Sequence, residues 1–189
     1  MVVRPGYRSV DAATAGGARR RIRLSLTAGH RAAGGSLRQW QNTRAPLSTV
    51  WVPAAATWLA TQAARASTDA ERVDLLVAAT LARVDAAGSL EEITAALAEL
   101  VLTDTPVAEI ARHVGLSTRQ VHRRCLDEFG LAPSLLRRIA RVHRAARPSP
   151  SARRPPLAQL ATDAGFADQS HFCREIRALS GQTPRAAFG

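Results

Sequence analysis

Residues 106–133 read PVAEIARHVGLSTRQVHRRCLDEFGLAP, and residues 156–184 read PLAQLATDAGFADQSHFCREIRALSGQTP. They are one pattern used twice. Ala111 falls on Ala161, Gly115 on Gly165, Arg123 on Arg174, Gly130 on Gly181 and Pro133 on Pro184. Each copy predicts a short amphipathic helix, a sharp turn at its first glycine, and a second helix that opens on a polar cap. The second glycine stops that helix, and the proline prevents its continuation. Cap to terminating glycine is 13 residues in both copies, from Ser117 to Gly130 and from Asp168 to Gly181. The turn of the second copy is one residue longer.

The details inside each copy fit a helix-turn-helix. Ala111 and Ala161 are small, as two closely crossing helices require. Ser117 and Gln120 form a capping-box pattern, with Asp168 in the place of Ser117 in the second copy. Val121, Cys125 and Phe129 make an inward stripe in the first copy, and Phe172 and Ile176 make one in the second. The outward set is then Thr118, Arg119, His122 and Arg123, followed by Gln169, Ser170, His171 and Arg174. Such helices suit the major groove, where arginine reads guanine and glutamine reads adenine through paired hydrogen bonds. His122 and His171, at near-equivalent positions, are read as polar contacts to base or phosphate. A metal role is not expected of them, since neither has a ligand partner at i+3 or i+4. Arg112, Arg137 and Arg138 are expected to meet phosphates or water.

Composition agrees with a nucleic-acid partner. The chain has 189 residues and a formal net charge of +11, and all 26 of its Lys and Arg residues are arginine. The charge is zoned: residues 1–50 carry +8, residues 51–100 carry −4, and residues 101–189 carry +7. An acidic middle between basic ends predicts that one segment faces DNA and another faces something else. No apolar run approaches membrane-spanning length, and the arginine-bearing start lacks the apolar stretch of a secretory signal. A cytoplasmic, nucleoid-associated protein is expected. Cys125 and Cys173 sit at no zinc-ligand spacing and are expected to be unpaired, Cys125 as a small core residue. The chain shows no paired carboxylates, no nucleophile beside a base, no phosphate-cradling glycine loop and no metal cluster, so an enzyme, a cofactor and a metal are not expected.

Outside the two copies the signals thin out. Residues 1–45 mix glycine, arginine and alanine with little periodicity and read as a disordered basic arm or sensor remnant. Residues 46–103 read as a helical linker segment. Within it, Trp51, Ala55, Trp58 and Leu59 can share a stripe, with Trp58 as a core anchor. Thr68 and Glu71 form a capping box ahead of a helix to about Asp85, with Val73, Leu76, Thr80 and Val84 on one face. Ser89 and Glu92 suggest a second box opening a helix to about Leu102, and Thr105 is expected to cap a helix with Pro106 in its first position. The fold class is all-α: two helix-turn-helix subdomains, at about 106–130 and 156–181, within a DNA-binding domain over 104–189.

The tail GFADQSHFCREIRALSGQTPRAAF is similar to the signature at the second helix-turn-helix of the AraC/XylS family of bacterial transcription regulators, and the resemblance covers about residues 104–188. It implies a seven-helix domain whose two units are joined by one long helix. It also implies that both recognition helices enter successive major grooves on one side of the duplex, about 34 Å apart. The family's base-reading positions fall on Arg119, His122 and Arg123, and on Gln169, Ser170, His171 and Arg174; Thr118 and Gln120 flank them. A core position usually held by phenylalanine falls on Cys125 and Ile176. The connecting helix is expected from about Ser134 through Leu136, Ile139 and Val142. The prolines from Pro148 to Pro156 are expected to cut it short and loosen the phasing of the units. The resemblance further implies double-stranded DNA and RNA polymerase as partners, and a small-molecule effector of unknown identity. The sensor that usually precedes such a domain is expected to be missing or truncated here, because the preceding residues show no strand patterning. The competing reading is a helical protein-interaction module, or a truncated regulator with vestigial DNA binding, built on the acidic segment 67–103.

Overall fold

The structure, a computed structural model, describes residues 8–13, 19–41, 43, 45–145 and 155–188. From Leu26 onward every regular element is helical. Ahead of that, β1 (Arg8–Ala13) and β2 (Arg19–Leu24) pair antiparallel, with Arg8 opposite Leu24 and Ala13 opposite Arg19. α1 (Leu26–Ala33) follows, capped by the Ser25 hydroxyl, which accepts from the Ala28 amide.

This segment departs from the loose arm that its composition suggests. Leu26, Ala32 and Leu37 are buried, and α1 packs on helices more than forty residues away in sequence. Those contacts are long-range, so no local periodicity announces them.

α2 (Leu47–Val50), α3 (Pro53–Arg65) and α4 (Asp69–Ala86) make a small helical layer around Trp51, Leu59 and Leu76. The capping box at Thr68 and Glu71 forms, and Thr80 is buried on the face shared with Leu76. Trp58 is the exception: its side chain is 55% exposed, and Trp51 is the buried anchor instead. Pro53 starts α3 after Trp51, so the two tryptophans never share a helical stripe. Arg83 reaches from α4 over the Trp51 ring, 5.1 Å from its centroid, and donates from Nε to the Ala32 carbonyl at 3.0 Å. That side chain joins the α2–α4 layer to α1.

α5 (Glu92–Leu100) opens at Glu91 rather than at Ser89, and no side chain caps it. Glu91 is held extended while its carboxylate takes a two-pronged bond from Arg124, at 2.9 and 3.0 Å, so the box at Ser89 does not close. Similarly, α6 (Val107–His113) is entered through Pro106, and the Thr105 hydroxyl pairs with Thr103 at 2.7 Å instead of capping. α7 (Thr118–Phe129), α8 (Pro133–Ala145), α9 (Leu157–Asp163), α10 (Gln169–Ser180) and α11 (Pro184–Phe188) complete the chain.

Two cores organise this half. Leu97, Ala98 and Val101 of α5 and its end pack with Ile110, Ala111, Val121, Cys125, Phe129 and Leu136, and Leu26 of α1 joins them. α5 therefore contributes to the core of the first unit, although it lies ahead of residue 104. The second core gathers Val142, Leu160, Ala161, Phe166, Phe172 and Ile176. α8 feeds Leu136 to the first and Val142 to the second, six residues apart and so about 9 Å along the helix axis. It is described as far as Ala145, and most of the proline-rich stretch beyond, residues 146–154, lies outside the described residues.

Candidate nucleic-acid interface

The two helix-turn-helix units share the same turn bond. In the first, Gly115 adopts φ +67°, and the Leu116 amide donates back to the Ala111 carbonyl at 2.9 Å. In the second, Gly165 adopts φ +78°, and the Phe166 amide donates to the Ala161 carbonyl at 2.9 Å. Positive φ suits glycine, which carries no Cβ to clash there. Ala111 and Ala161 are almost fully buried, so the crossing of the helices leaves no space for a larger side chain.

Each recognition helix is then pinned at its first turn. Ser117 Oγ accepts from the Gln120 amide at 3.3 Å, while Gln120 Oε1 accepts from the Ser117 amide at 2.8 Å and from its hydroxyl at 2.7 Å. Asp168 Oδ1 accepts from the His171 amide at 2.6 Å. That bond holds the Asp168 carboxyl below the usual carboxylate range, and the positive charge of Arg174 acts in the same direction. Both helices end in a left-handed glycine, at Gly130 and Gly181.

Burying Val121, Cys125 and Phe129 turns the other face of α7 outward. Thr118, Arg119, Gln120, His122 and Arg123 are all exposed on it. On α10, burial of Phe172 and Ile176 leaves Gln169, Ser170 and Arg174 exposed. His171 is half-buried, its ring edge-on to Phe166 with centroids 5.4 Å apart. Aligned on their caps, the helices pair His122 with Cys173, and His171 with Gln120. The two histidines are thus not equivalent, and His171 shares Gln120's place at the capped first turn. Cys173, expected only to be unpaired, stands half-buried at the position of His122. The equal cap-to-glycine spacing, which makes that alignment gap-free, was the signal for it.

The arginines divide into two groups. Arg119 and Arg123 make no ion pair with a described residue, and both are exposed. Arg124 is half-buried and bridges Glu91 and Glu128, at 2.9 and 3.1 Å. Its guanidinium holds the Glu91 carboxyl below the usual range. Arg137 and Arg138, expected at phosphates or in water, each also bond another part of the chain: Arg137 donates to the Thr105 carbonyl at 3.2 Å, and exposed Arg138 to Glu175 at 2.7 Å. Cys125 is fully buried, and burial, helped by the Glu128 charge, pushes its thiol up to about 12. It is a core residue with no nucleophilic character near neutral pH. Among the described residues, no group of His, Cys, Asp and Glu is placed to hold a metal ion, and no helix is long and apolar enough to cross a membrane.

Two capped helices on glycine turns, joined by a helix that enters both cores, define a DNA-binding domain of the double helix-turn-helix class. Residues 110–188 match the protein family described as "Helix-turn-helix domain", and they form an AraC-type helix-turn-helix domain. The match runs from Ile110 inside α6 to Phe188 at the end of α11. No curated protein and no solved structure matches the chain.

Proposed function

We propose that the protein regulates transcription by reading two successive major grooves, one with α7 and the other with α10. The observation that carries this reading is the matched construction of the two units, in which an equivalent glycine turn and a side-chain cap leave Thr118, Arg119 and Arg123 of α7 exposed at the positions of Gln169, Ser170 and Arg174 of α10. In this reading Arg119, His122 and Arg123 meet the bases of one half-site, with Thr118 beside them. Gln169, Ser170 and Arg174 meet the bases of the other. Gln120 and His171 act at the helix starts: Gln120 spends its carbonyl oxygen on the cap, and His171 spends one ring edge on Phe166. Exposed Arg112 of α6 adds phosphate affinity, which carries no sequence information. RNA polymerase and a small effector belong to this reading as partners, and the cytoplasm as its location.

The test is selection of bound sites from random double-stranded DNA, followed by mobility shifts across a salt series. A defined bipartite site, bound well above random DNA at physiological salt, is the expected result. Arg123→Ala and Arg174→Ala should each cost about 1–3 kcal/mol and relax preference in one half-site only. Binding that is equal on all sequences and disappears by physiological salt contradicts the proposal.

A further inference from the structure

α8 carries three arginines on one stripe, Arg137, Arg141 and Arg144, at i, i+4 and i+7. All three close on the loop that leads into the first unit. Arg137 donates to the Thr105 carbonyl at 3.2 Å, and Arg144 to the Leu102 carbonyl at 3.3 Å. Arg141 Nε bonds Asp104 Oδ1 at 2.6 Å, and Arg144 Nη2 bonds Asp104 Oδ2. One carboxylate therefore holds two guanidinium groups of the connecting helix. The same carboxylate abuts the turn of the second unit: a Cβ built on Gly165 would stand 3.5 Å from Asp104 Oδ2. From its other side, α8 reaches the second recognition helix through Arg138 and Glu175. The entry loop of the first unit, the connecting helix and the turn of the second unit thus meet at Asp104.

We propose that Asp104 is a positioning residue that sets the spacing between the two recognition helices, so that the protein selects DNA by the distance between half-sites as well as by their bases. The inference rests on the two-groove reading. Individually, ion pairs at this level of exposure contribute little stability. Their effect here is geometric: planar guanidinium groups accept few orientations around one carboxylate. α8, anchored in two small cores, leaves the relative rotation of the units to be fixed by such contacts. Asp104 touches no base in this arrangement, and its removal should leave each half-site's own affinity unchanged.

Two measurements on the full chain separate the clamp from the DNA reading. In the first, spin labels at Thr118→Cys and Gln169→Cys, in a Cys173→Ser background, report the distance between the helix starts in free protein. A single narrow distribution is expected with Asp104, and loss of that narrow peak is expected with Asp104→Asn. In the second, half-sites from the selected DNA are moved apart by five base pairs, about half a helical turn. The parent should lose about tenfold or more in affinity, as for one forfeited base contact, and the Asp104→Asn protein less than about threefold. Both should bind an isolated half-site equally. The double variant Arg141→Gln, Arg144→Gln removes the clamp from the helix side and should reproduce the result. A narrow distribution retained in Asp104→Asn overturns the clamp whatever the DNA does. A broadened one, in a parent that shows no spacing preference, overturns the two-groove reading and the spacing role with it.

Discussion

Cys125 shows how one buried residue links core and solution behaviour. Its thiol is raised to about 12 by burial, whereas in the unfolded chain it titrates at its ordinary value of about 8.5. A raised acid favours the folded state in its protonated form. Its contribution is therefore complete below pH about 8.5 and is lost as pH rises toward 12. Denaturant unfolding at pH 7 and pH 10 should show lower stability at the higher pH, with part of that slope absent in Cys125→Ala; an unchanged slope would argue against the assignment. Near neutral pH an alkylating reagent should modify half-buried Cys173 first and spare Cys125 until the protein unfolds. The inward role of Cys125 was legible from its i+4 spacing to Val121 and Phe129. The outward role of Cys173 was legible only by aligning the two caps. Trp58 could not be placed from its residue type, because Pro53 decides which tryptophan lies inside the helix.

At the scale of elements, local chemistry was readable and distant chemistry was not. The boxes at Thr68 and Ser117 and the cap at Asp168 formed because each needs only its own first turn. The pattern at Ser89 did not form: the helix starts two residues later, after Glu91, whose carboxylate is bound by Arg124, thirty-three positions on. α1 was invisible for the same reason. Its neighbour Leu37 donates its amide to the Asp127 carbonyl at 2.6 Å, and Arg38 pairs with the Asp127 side chain at 2.9 Å. These bonds tie residues 25–41 to the back of α7, at the end away from its capped first turn. Leu26 lies in the same core as Val121 and Phe129. Leu26→Ala should therefore destabilise the first unit by about 2–5 kcal/mol in thermal or denaturant unfolding. A loss below about 0.5 kcal/mol, the range of an ordinary surface substitution, would show that α1 is dispensable to that core.

For the whole molecule, the duplicated unit was legible because repetition is a property of sequence. The link between the copies was not. The prolines after α8 suggest loose phasing, yet the described part of α8 already enters both cores and meets Asp104 and Glu175. Charge zoning likewise maps onto structure only in part. The basic C-terminal region divides into arginines bound within the protein, such as Arg124 and Arg138, and arginines left on the outward faces, such as Arg119 and Arg123. Net charge does not distinguish these groups, although only the second is free of ion pairs with described residues.

In the proposed complex α7 and α10 occupy neighbouring turns of one duplex. Guanine-N7 methylation interference on the selected site tests it directly, because N7 lies in the major groove. Two clusters of interference on one face, about 10 base pairs apart, are expected, with Arg123→Ala erasing one and Arg174→Ala erasing the other. A single cluster, or two clusters that fade together with either substitution, would contradict it.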